Sequence, residues 1–115
     1  QMNLGRVGGI LEARKIAGMA EAHYVQIAPH LYCGPIVGAA SIQVAVCCPN
    51  FLIQEGIQQW GDFHARLLKT PLRWEAGYIL PPTAPGLGVE LDETVAEQHR
   101  YTGKALHLEM ADRPV

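Results

Sequence analysis

Two short apolar runs, each ending in a titratable side chain, constrain the fold of this chain more than any other feature. Tyr24-Val25-Gln26-Ile27-Ala28-Pro29 leads into His30, and Phe51-Leu52-Ile53-Gln54 leads into Glu55. Between them lies a segment of helical length, from Pro35 to about Cys48, that is apolar nearly all round. Continuous apolar runs are what strands look like when helices cover both faces of a sheet. Parallel neighbours need a crossover between them, usually a helix. The strand, helix, strand order therefore predicts a parallel sheet with His30 and Glu55 at the carboxyl ends of its strands. Those ends are where ligands bind in α/β barrels and open α/β sheets.

The rest of the chain extends the pattern. Gln1 to Arg6 reads as the tail of a strand running into a loop, and Gly8-Gly9 as a flexible entry to a helix. Ile10, Ala13, Ile16, Ala17 and Ala20 recur at helical spacing, which predicts a helix over Ile10 to His23. Gly34-Pro35 opens the next helix, with Pro35 in the first turn, and Pro49-Asn50 stops it. Gln58 to Leu68 is expected as an irregular helix interrupted by Gly61. Beyond Lys69, Pro71, Pro81, Pro82 and Pro85 cluster with Gly86 and Gly88 in a turn-rich segment. Leu72 to Glu75 and Tyr78 to Leu80 pair as an expected hairpin around Ala76-Gly77. Asp92 is an expected N-cap for a short helix through Gln98, and the alternation around Leu106 and Leu108 suggests an edge strand.

Alternating β and α elements with short links imply an α/β fold. A complete (β/α)8 barrel takes roughly 250 residues, against 115 here. The expectation is the last part of such a barrel over residues 1–69, followed by a barrel-closing tail over 70–115. The chain opens on Gln1, so it is expected to begin within a longer protein.

Composition narrows the function classes. A net charge of −2 without a basic stripe argues against a nucleic-acid partner. The longest apolar stretch, Ile36 to Val46, is too short to cross a bilayer and carries Gly38, Ser41 and Gln43, so no membrane role is expected. Cys33, Cys47 and Cys48 are odd in number and lack metal-like CxxC spacing. They read as buried, reduced thiols of a cytoplasmic protein.

Four stretches in order then carry a resemblance: Gly8-Gly9-Ile10-Leu11-Glu12-Ala13-Arg14-Lys15-Ile16-Ala17, Ala28-Pro29-His30, Asn50-Phe51-Leu52-Ile53-Gln54-Glu55 and Pro85-Gly86-Leu87-Gly88-Val89. Together they resemble the carboxyl-terminal part of the enolase superfamily, in its mandelate racemase branch, and the acid-sugar dehydratases of the galactonate dehydratase type. The resemblance implies strands six to eight of a (β/α)7β barrel and a tail returning to a capping domain. It also implies a Mg²⁺-dependent enzyme that removes a proton next to a carboxylate and expels a β-hydroxyl. Its partners would be a sugar-acid substrate and further copies of itself. The metal ligands would lie on strands outside this chain, so no metal site is expected within it.

By the same resemblance, His30 matches the histidine of the family's His-Asp dyad, a general base or the acid for the leaving hydroxyl. Imidazole suits either role near neutral pH. Glu55 matches the acidic residue ending strand eight, expected to hydrogen-bond the substrate carboxylate or enediolate as a neutral donor. Asn3 departs from the family, standing where the dyad has aspartate. It can accept a hydrogen bond and orient a ring, but it supplies no charge to an imidazolium, which disfavours a two-base racemase more than a dehydratase. Asn3 equally reads as a turn residue satisfying nearby backbone groups. Tyr32 and Trp60 are candidate walls of the substrate pocket, with aromatic packing an equal reading. His23, His64, His99 and His107 read as structural. The rival functions are a racemase, epimerase or cycloisomerase on the same scaffold, and a catalytically inactive remnant or interaction module.

Overall fold

The computed structural model describes residues 1–57 and 59–102. Its helices follow local rules. Helix α1 spans Leu4–Val7; Asn3 caps it from extended backbone, its side chain accepting from the Gly5 N–H. Gly8 ends it in the left-handed conformation at φ 105°, and Gly9, at φ 89°, starts helix α2 over Ile10–Ala22. This corrects the reading of Gln1 to Arg6: the chain is extended only up to Asn3, where the cap turns it into a single helical turn. The glycine pair closes one helix and opens the next.

Helix α2 buries Ala13 and Ala17. Their small side chains let it approach helix α3, Pro35–Val46, whose buried positions include Ala39, Ile42, Val44 and Ala45. Met2, Leu4, Ala13, Ala17, Ile27, Val44 and Cys48 form one core cluster. Arg14 ties α2 to the end of α3, donating to the Cys47 carbonyl at 2.7 Å and reaching Cys48 Sγ at 3.3 Å.

The expected parallel strands reduce to a single parallel bridge between Ile27 and Phe51. Around it, Ile27 N donates to Asn50 O and Leu52 N to Ile27 O, both at 2.9 Å. His30 N donates to Met2 O at 2.9 Å. The stretches at 1–3, 27–30 and 51–55 thus lie side by side in the expected order, but neither apolar run is a continuous strand. The helix expected over Gln58 to Leu68 is corrected as well: among its described residues only Asp62–Arg66 is helical, as a 3₁₀ turn. Asp62 opens that turn at φ 49° right after Gly61, so no α-helix propagates through the junction.

Past Lys69 the hairpin forms as expected, with strands β1, Trp74–Glu75, and β2, Tyr78–Ile79, in the register Trp74 to Ile79 and Glu75 to Tyr78. Helix α4, Glu93–Gln98, is capped by Asp92, which accepts from Val95 N at 3.1 Å. An antiparallel bridge joins Leu68 to Leu91, and Lys69 pairs with Glu90, so the chain around 90–91 returns beside 68–69. The edge strand expected around Leu106 and Leu108 lies outside the described residues. No helix among the described residues is long and apolar enough to cross a membrane.

Candidate active site

The site is assembled by the three adjacent stretches. Met2 O and His30 N hold the first to the second. Gln54 Nε2 donates to Pro29 O at 3.0 Å, and Leu31 N donates to Glu55 Oε2 at 3.0 Å, which hold the second to the third. These bonds bring Asn3, His30 and Glu55 into one line. Asn3 Nδ2 lies 2.9 Å from His30 Nδ1. On the other side of the ring, His30 Nε2 lies 3.8 Å from Glu55 Oε2.

The ends of this line differ in burial. Asn3 is 7% exposed, while the His30 and Glu55 side chains are 38% and 43% exposed. The ring is therefore anchored from the protein interior, while its far side and the Glu55 carboxylate are partly open to solvent. Asn3 makes both contacts at once, to nearby backbone and to the His30 ring. Its oxygen caps α1 through Gly5 N at 2.9 Å, and its nitrogen meets the ring.

Cys33 is the participant that sequence reasoning missed. Its Sγ stands 3.4 Å from Asn3 Nδ2 and 3.6 Å from Asn3 Oδ1. The thiols were expected to be buried; Cys48 is, Cys33 is half-buried, and Cys47 is exposed. The closeness of Cys33 to His30 in the chain was the available signal. Gly5 was missed too: a Cβ there would sit 3.2 Å from Asn3 Oδ1, tight enough to disturb the cap.

The two aromatic candidates part company. Tyr32, two residues after His30, is 71% exposed. Trp60 lies against α3, within 3.8 Å of where a Gly38 Cβ would stand, and lines a small pocket with Pro35, His64, Leu72 and Trp74. That is the packing role rather than a wall beside His30. His64 and His99 flank Phe63, with ring centroids 4.0 and 4.5 Å away, and His99 Nδ1 is 2.9 Å from Val95 O. Among the described residues no group of three or more His, Cys, Asp or Glu side chains is placed to hold a metal ion.

Comparison with known proteins identifies the family. Residues 1–95 match the family described as enolase C-terminal domain-like. The chain is 44% identical over 103 residues to the D-galactonate dehydratase of Ralstonia nicotianae, covering 83% of this chain and 26% of that protein. The D-galactonate dehydratase of Variovorax paradoxus is 42% identical over 101 residues, covering 81% and 26%. Among solved structures, a mandelate racemase/muconate lactonizing enzyme from Sulfitobacter sp. superposes with a TM-score of 0.82 at 54% identity, over 97% of this chain and 28% of that one. One from Jannaschia sp. CCS1 gives 0.82 at 48% identity, over 94% and 28%. The chain thus spans about a quarter of the length of the relatives it matches.

Proposed function

This chain belongs to the enolase C-terminal domain-like family, and from that membership we propose that it is the carboxyl-terminal barrel portion of an acid-sugar dehydratase. The observation that carries the reading is the convergence of Asn3, His30 and Glu55 at one end of three adjacent stretches. Identity to enzymes named D-galactonate dehydratase supports the reaction class. In the barrel numbering that the family suggests, the three stretches are the ends of strands six, seven and eight.

The reaction breaks a C–H bond next to the substrate carboxylate and a C–O bond at the neighbouring carbon. Water leaves, and the enol that remains becomes a 2-keto acid. His30 serves the departing hydroxyl or a developing negative oxygen from Nε2, the ring atom facing the mouth. Glu55 lies at the end of the third stretch, where it would meet the substrate carboxylate or the enediolate formed from it. The backbone N–H of Leu31 fixes which way Glu55 points.

The superfamily's Mg²⁺ does not fit the residues described here, since His30 and Glu55 gain no third ligand. The metal is assigned to other parts of the enzyme, and no step above passes through it. A racemase or epimerase would ask His30 to take up a proton and hold the charge. Asn3 offers no carboxylate for that, so the dehydratase reading is favoured.

The test is to incubate the intact protein carrying this chain with a panel of sugar acids and trap carbonyl products. A 2-keto acid from at least one substrate supports the reading. Exchange of the α-hydrogen with solvent and no loss of water would replace it with the racemase reading. Neither reaction on any acid would favour a remnant or interaction role.

A further inference from the structure

The amide of Asn3 is oriented by a neighbour that has only one possible role. Gly5 N lies 2.9 Å from Asn3 Oδ1, and a backbone N–H can only donate, so the amide atom facing it is oxygen. That places the amide nitrogen toward His30, 2.9 Å from Nδ1. An amide nitrogen can only donate, so Nδ1 must accept and carries no proton. The proton of the neutral ring is then on Nε2. Cys33 completes the arrangement, with Sγ close to both amide atoms. Asn3 is buried, and a reversed amide would set its N–H against the Gly5 N–H, leaving both donors unpaired.

On the mouth side, Nε2 is 3.8 Å from Glu55 Oε2, too long for a hydrogen bond. The Nε2–H is thus not bonded to Glu55, whose Oε2 Leu31 N already holds, and it sits on a ring whose side chain is partly exposed. We infer that Asn3 is a positioning residue that locks His30 in its Nε2–H form, so that His30 acts as a neutral hydrogen-bond donor to a negatively charged ligand oxygen. An aspartate at position 3 would invert this bond, accept from Nδ1–H and leave Nε2 free to take a proton. A neutral imidazole that donates from a fixed nitrogen is sufficient to polarise an oxygen during catalysis. The proton's location stands on the geometry alone; the identity of the acceptor as a substrate oxygen rests on the dehydratase reading.

Neutron diffraction from deuterium-exchanged crystals of the intact protein carrying this chain locates the proton directly. The expected map has deuterium on His30 Nε2, a bare Nδ1, and both amide deuterons on the Asn3 atom that faces the ring. In Asn3→Asp the deuteron is expected to appear on Nδ1. Deuterium on Nδ1 of the unaltered protein overturns the inference, and that map decides the matter even if the variant does not fold. A bare Nδ1 in the variant would also overturn it, because something other than residue 3 would then set the tautomer. Failure of the sugar-acid screen leaves both maps unchanged, so the two ideas fail separately.

Discussion

At the scale of single residues, the mouth depends on one nitrogen and one buried amide. His30→Asn removes the Nε2 donor. Loss of a preorganised donor to a developing negative oxygen costs about 10²–10³ in turnover. That drop is expected in the intact protein, with Mg²⁺ affinity by calorimetry unchanged, because His30 is not among the proposed ligands. Retained turnover would remove His30 from the mechanism. Asn3→Ala takes away both the α1 cap and the partner of His30 Nδ1. About 1–2 kcal/mol of stability should go, read from denaturant midpoints. A loss confined to a few tenths of a kcal/mol would mean that solvent replaces both bonds. His30 and Glu55 were legible in the sequence because a polar group ending an apolar run has few reasons to be there. The direction of the Asn3 bond was not legible. It depends on Gly5 N and Cys33 Sγ, which meet Asn3 only once the chain turns at the cap.

At the scale of elements, what could be read was what is locally determined. Helix α2 followed from periodicity, α3 from the Gly34-Pro35 start, α4 from Asp92, and the hairpin from Ala76-Gly77, where φ is 49° and 84°. Helix α1 escaped because four residues carry no period; its signal was the Asn3 cap followed by Gly8. The parallel runs escaped for the opposite reason. A parallel strand exists only when neighbours satisfy its backbone, and here the ladder extends no further than the bridge from Ile27 to Phe51. Two substitutions probe this level. Val44 is fully buried in α3 within the core cluster. Val44→Ala should cost about 2 kcal/mol, combining lost burial with a residual cavity. Gly88 has φ 75°, and a Cβ there would lie 2.5 Å from Pro82 Cβ. Gly88→Ala should therefore destabilise the tail by about 1–3 kcal/mol, seen as faster proteolysis between Pro81 and Glu90; unchanged cleavage would mean that the turn is not held as described.

At the scale of the whole molecule, the short ladder leaves apolar surface uncovered. Leu52 and Ile53, beside the Ile27 to Phe51 bridge, are 59% and 62% exposed. They open onto an apolar cleft of about 600 Å³ that includes Phe51, Ile42, Trp74 and Tyr78. Unpaired backbone next to exposed β-branched and aromatic side chains invites pairing with another chain. The 115-residue chain on its own is therefore expected to self-associate at micromolar concentration, with sedimentation velocity showing species heavier than 12.6 kDa. Leu52→Glu with Ile53→Glu should shift the distribution toward monomer, because like charges on facing copies repel and no longer gain from burial. If the unaltered chain sediments as a monomer and unfolds in one cooperative transition, these residues do not form an adhesive edge. The same pair supplies a second arm in the intact protein. There, a covered cleft predicts that the double glutamate variant loses several kcal/mol, since each buried charge lacks a partner. Full stability of that variant would mean that the cleft is solvent-facing in the assembled enzyme too.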